Sequence, residues 1–167
     1  MRIIGIDPGL RLTGYGCVNI TSNRLEPELV EAGVIRLTAS QSVAQRLVEL
    51  FEDLGTILDQ LEPECVAVEK LYAHYAHPTT AIKMGHARGV ILLTAQQRHI
   101  ELQELGATEI KKSVTGNGHA SKRQMQIAVQ AQCGLREMPH PPDVADAIAI
   151  ALCAARRLST RRAEALT

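Results

Sequence analysis

Ile3, Ile4, Gly5 and Ile6 form an apolar run that stops at Asp7, and Pro8-Gly9 turns the chain at once. The length and β-branched content of the run predict a buried strand. Thr13-Gly14-Tyr15-Gly16-Cys17-Val18 reads as the returning strand of a hairpin, reaching residue 20. Turn-forming Thr21-Ser22-Asn23 then separates it from a third strand over 30–37. Next the period changes. Val43, Leu47, Leu50, Phe51, Leu54, Ile57, Leu58 and Leu61 recur at helical spacing. Ser42 with Gln45 three positions on predicts a capping box. Glu62-Pro63 ends the helix, because a residue before proline avoids the α region.

Cys65-Val66-Ala67-Val68 is a second short apolar run, and it too ends in a carboxylate, Glu69. A loop with Tyr72, His74, Tyr75 and His77 leads into a helix from about Pro78-Thr79 to Gln97. Its small residues Ala81, Gly85, Ala87 and Gly89 would let another helix approach, within the chain or from a second copy. Residues 100–105 predict a strand and 107–114 a short helix. Gly116-Asn117-Gly118-His119-Ala120 is a loop, and Ser121 with Gln124 caps the next helix. Pro139, Pro141 and Pro142 mark a rigid turn before a last helix over 143–157. The charged, Ala-rich stretch 159–167 reads as a frayed, disordered tail, with Arg156, Arg157, Arg161 and Arg162 as solvated charges. The order of elements predicts an α/β domain over 1–158, a mixed sheet flanked by helices.

Composition narrows the partners. The 167 residues carry no formal net charge, so any nucleic acid must meet a local basic surface. One Phe, three Tyr and no Trp argue against a binder built on many stacking platforms. Cys17, Cys65, Cys133 and Cys153 form no CxxC pair and read as reduced thiols. No run reaches the ~18 apolar residues of a membrane span. The expectation is a soluble, cytoplasmic protein with no membrane association.

The chemistry lies in four acids. Asp7 and Glu69 each end an apolar strand. Asp143 and Asp146, at i and i+3, share one face of a helix that the neighbouring Ala and Ile residues mark as buried. Asp143 alone could simply complement the helix dipole behind Pro141-Pro142. Asp7 and Glu69 alone could be solvated strand ends. Together, two carboxylates on an apolar helix face repel unless a cation joins them. Oxygen ligands without His or Cys suit Mg²⁺ or Mn²⁺. Two such ions about 4 Å apart can clamp the attacking and leaving oxygens of a phosphodiester. Lys111, Lys112, Lys122 and Arg123 cluster around the Gly116–Gly118 loop, where they would track phosphates or merely coat a solvated helix face. Lys122, unfavourable in the first turn of a helix, is a candidate for stabilising phosphate charge in the transition state.

Ile6-Asp7-Pro8-Gly9 with Thr13-Gly14-Tyr15-Gly16, Val66-Ala67-Val68-Glu69, Gly116-Asn117-Gly118 with Ser121-Lys122, and Asp143-Val144-Ala145-Asp146-Ala147 resemble the RuvC family of Holliday-junction resolvases. The match runs in order from about Arg2 to the final helix and leaves out the tail. The resemblance implies a ribonuclease-H-like fold with a five-stranded sheet. It implies a homodimeric, metal-dependent endonuclease that nicks two strands of a four-way DNA junction symmetrically in recombination and repair. It places the acidic ligands for a pair of ions, Mg²⁺ or substituting Mn²⁺, on Asp7, Glu69, Asp143 and Asp146, with Asp143 where some members have His. It places DNA-contacting lysines on Lys111 and Lys122, and the aromatic near the junction centre on Tyr72, where the common pattern has Phe. It also implies work with the branch-migration proteins RuvA and RuvB. Two rivals stand against it. An actin-like ATPase also opens on an Asp-x-Gly hairpin but needs two related domains and a longer chain. A non-catalytic junction-binding module of the same fold would have no need of all four acids.

Overall fold

The computed structural model describes residues 1–21, 26–71 and 78–165. Five strands form one sheet: β1 (Arg2–Asp7), β2 (Leu12–Asn19), β3 (Glu28–Arg36), β4 (Cys65–Glu69) and β5 (Glu101–Leu105). Their spatial order is β3-β2-β1-β4-β5. β1, β2 and β3 pair antiparallel, as the hairpin pattern predicts. β4 and β5 join parallel to β1, so each needs a helical crossover.

Those crossovers are α1 (Val43–Leu61) and α2 (Pro78–Gln97). They pack on one face of the sheet, against Ile4, Ile6, Cys17, Val66 and Val68. The opposite face, with Ile3, Val18, Cys65 and Ala67, carries α3 (Ala107–Thr115), α4 (Lys122–Gln132) and α5 (Pro142–Ala165). Alternation along β1 and β4 thus feeds two separate cores. Local signals hold at the helix ends. Ser42–Gln45 and Ser121–Gln124 both form reciprocal capping boxes, and Glu62, in the left-handed region at φ 45°, closes α1.

α5 differs from the sequence reading. It continues past residue 157 and takes 159–165 into the helix, where the sequence pattern predicts a separate tail. Alanines and long polar side chains favour this continuation, and the Thr160 hydroxyl donates back to the Arg156 carbonyl. Nor is Arg156 a solvated charge. Its guanidinium donates to the Ser113 carbonyl at 2.7 Å, to Gln132 and to Glu26, and so ties α5 to α3, α4 and the approach to β3. Arg157 lies 3.6 Å from Glu109.

Candidate active site

β1 and β4 run side by side and in the same direction, so Asp7 and Glu69 emerge at the same end of the sheet. Gly14 faces Asp7 across the β1–β2 ladder. A Cβ on Gly14 would lie 2.1 Å from the Asp143 carbonyl, and one on Gly5 would lie 2.3 Å from that of Ala147. Glycine at these two positions lets the backbone of α5 rest directly on β1 and β2. That packing sets the start of α5, with Asp143 and Asp146, over the end of β1. Gly14 and Gly16 of the returning strand, which face Asp143 and Ile148, therefore serve helix packing.

All four acids line a single cleft of about 780 Å³. None accepts a hydrogen bond or ion pair from another described side chain, yet each is only partly exposed. Burial raises the Asp7 carboxyl from an ordinary 3.8 to about 7, and Asp146, Asp143 and Glu69 push it in the same direction. Burial also raises Glu69, with Asp146 adding to it and Lys111 and Lys122 opposing. Asp146 is raised by burial and by Asp143 against the same two lysines. These are carboxylates held near one another in a partly dry place without enough positive charge.

The β1–β2 turn is fixed from within. The buried Thr13 hydroxyl donates to the Gly9 carbonyl at 2.7 Å and accepts from the Gly9 N–H at 3.2 Å. Glu69 is braced from α2. Arg88 Nε donates to its carbonyl at 3.4 Å while the guanidinium pairs with Glu104 on β5.

Lys111 and Lys122 line the cleft together with the acids. Arg123 is exposed on α4 and does not line it. Tyr72 lies outside the described residues. Sequence reasoning missed Arg11, Arg46, Thr80, Lys83 and Met84, which complete the walls. Arg46 had a signal, for it lies on the apolar stripe of α1, three residues after Val43 and four before Leu50.

The donor set fits a hard divalent cation. It is all oxygen, and a cation would relieve the repulsion that helps keep Asp7 protonated near neutral pH. No three of the described acids, histidines and cysteines come together as a ready-made metal cage. A partly open ring suits an ion that keeps several waters and also takes phosphate oxygens.

A mixed β3-β2-β1-β4-β5 sheet, with acids ending its first and fourth strands and opening its last helix, is a ribonuclease-H-like nuclease. The family model for crossover junction endodeoxyribonuclease RuvC matches residues 3–154. The chain belongs to the RuvC family of crossover junction endodeoxyribonucleases, which are metal-dependent nucleases. It is 45% identical over 151 residues to the RuvC of Rhodopirellula baltica, covering 90% of this chain and 84% of that one. With the RuvC of Hydrogenovibrio crunogenus it shares 46% over 158 residues, covering 95% and 89%. The structure of Thermus thermophilus RuvC superposes with a TM-score of 0.86 at 30% identity, covering 96% of this chain and 97% of that one. The same protein in complex with Holliday junction substrate gives 0.84 at 27% identity, covering 96% of each. No described helix is long and apolar enough to cross a membrane.

Proposed function

We propose that this endonuclease resolves Holliday junctions by paired, symmetric, Mg²⁺-dependent hydrolysis, with Asp7, Glu69, Asp143 and Asp146 as the metal ligands. The observation that carries this reading is the gathering in one cleft of two lysines and four carboxylates that have no hydrogen-bond or ion-pair partner among the described side chains. A bound divalent ion supplies an acidified water and neutralises charge on the phosphate. The chain's own residues do the rest. Asp7 gives up the proton that burial and its neighbours hold on it. Lys122 and Lys111, already acting on Glu69 and Asp146 through space, face the phosphate and offset its charge in the transition state. The Thr13 clasp keeps the turn beside Asp7 in place without help from substrate.

Symmetric cutting calls for two copies, and α2 supports a homodimer. Its inner face buries Ala87, Ile91 and Ala95. Its outer face carries Ile82 at 60% and Leu93 at 53% exposure, with open space above Gly85 and Gly89. A helix that is apolar on both sides has a second surface to bury, and a two-fold axis there would place identical clefts on two strands. Family membership supports RuvA and RuvB as partners. Four free cysteines, three of them buried, suit a cytoplasmic setting.

The test is a cleavage assay on a four-way junction, with linear duplex as control. The wild type should nick the junction in pairs with Mg²⁺ and leave duplex intact. Asp7→Asn should bind the junction and not cut it. Junction binding by the wild type without cutting would favour the non-catalytic module, and normal cutting by Asp7→Asn would sink the site assignment.

A further inference from the structure

The cationic side chains of the cleft divide between the two helical layers. Lys111 and Lys122 come from α3 and α4 and act electrostatically on the acids. Arg46 and Lys83 come from α1 and α2 on the other face of the sheet, and Arg11 comes from the β1–β2 turn. These three form no ion pair with a described residue, so their charge is not spent on the protein's own carboxylates. Arg46 is the most constrained. Its Nη1 donates to the Leu10 carbonyl at 2.9 Å, which aims the guanidinium along the turn that follows Asp7. Its Nε is shielded from solvent and meets no acceptor. An unmet buried donor is costly, so the Arg46 head group is held there at an expense, while the half-buried side chain still lines the cleft, where its remaining N–H groups can donate to a phosphate. Arg11, exposed on the same turn, and Lys83, exposed on α2, line the same cleft.

We infer that Arg46, Arg11 and Lys83 form a second phosphate subsite, which holds a backbone phosphate of the cut strand next to the scissile one. This rests on the nuclease reading above and extends it. The acidic floor repels DNA, and a strand crossing it needs positive charge on both sides. Lys111 and Lys122 supply one side, and the α1–α2 wall supplies the other. Two anchored phosphates fix the direction of the strand over the carboxylates, which one anchor cannot do.

The experiment measures junction binding in EDTA as a function of salt, by fluorescence anisotropy, for wild type, Arg11→Gln, Arg46→Gln, Arg46→Lys and Lys83→Gln. Melting temperatures are recorded alongside. Removing one cation that neutralises a phosphate should lower the slope of log affinity against log salt by about 1. Arg11→Gln and Arg46→Gln should each show that drop and weaken binding about threefold or more at moderate salt. Lys83→Gln should act in the same direction. Arg46→Lys should recover much of the slope, because it keeps the charge. Unchanged slopes in both Arg11→Gln and Arg46→Gln overturn the inference. A lower melting temperature for Arg46→Gln with the wild-type slope likewise overturns it, since Arg46 would then serve only the Leu10 carbonyl. These results are distinct from failure of the nuclease reading, in which the wild type itself would not cut the junction with Mg²⁺.

Discussion

Helices α5 and α2 lie on opposite faces of one sheet, at 24 and 20 residues, and both are rich in small side chains. In α5 the small residues face inward. Ala147 and Ala151 meet Gly5, the start of the helix meets Gly14, and α3 and α4 cover the other side. In α2 the glycines face outward over open space, while the inner face is closed by Ala87, Ile91 and Ala95. The same residue types thus bring α5 close to its own sheet and leave α2 able to meet another helix. One helix sets the geometry of the carboxylates, and the other carries the surface through which the proposed dimer would form.

Changes on the α5 side should be the most damaging. Asp146→Asn should reduce cleavage to background in a single-turnover assay while junction binding in EDTA persists. Gly5→Ala should cost about 2–4 kcal/mol in urea unfolding, because its Cβ would strike α5 backbone, which cannot move aside like a flexible side chain. Asp7 makes the metal-free protein sensitive to pH. Its carboxyl is raised in the folded state from 3.8 to about 7. Folding therefore favours its protonated form, and the stability it contributes is complete below about pH 4 and lost as pH rises through 7. Metal-free wild type should lose up to about 4 kcal/mol across that window, and Asp7→Asn should flatten the profile and melt higher than wild type at pH 8.

Changes on the α2 face should leave the fold standing and act on association. Leu93→Glu should raise the dimer dissociation constant at least about tenfold by sedimentation, with little change in monomer stability. Paired cutting would then give way to single nicks. Gly89→Ala is the mildest and the most diagnostic. In an exposed helix interior it should stabilise the monomer by about 0.5–1 kcal/mol. If the α2 faces pack closely between copies, it should weaken the dimer at the same time. A stabilised protein with unchanged dimerisation would separate α2 from the interface.

Legibility in the sequence followed the range of the interactions. The capping boxes at Ser42 and Ser121 and the stop at Glu62-Pro63 are written in a few neighbouring residues, and the structure keeps them. Asp7 and Glu69 were legible because a carboxylate ending an apolar run breaks a pattern. Asp143 and Asp146 were legible because helical spacing puts them on one face. The walls of the cleft were not, since Lys83 and Arg11 meet there only after the sheet has brought separate segments together. The packing role of the β2 glycines was not legible either, because nothing local reveals a helix from the far end of the chain resting on them. Arg156 shows the same blindness, as its partners Ser113, Gln132 and Glu26 come from three other parts of the fold.

Arg88 joins the two sides of this contrast. It belongs to α2, one residue before Gly89, yet its guanidinium grips the backbone of Glu69. The helix proposed to meet a second copy is thereby wired to one of the acids in the cleft. If α2 meets a second copy and shifts on doing so, the movement would reach Glu69 through this bond, and by thermodynamic reciprocity an ion that drew Glu69 into place would favour that position of α2. Magnesium would then tighten the pairing of two subunits as well as arm each one, and under that reading an enzyme copy on its own would be held back from making a single unmatched cut.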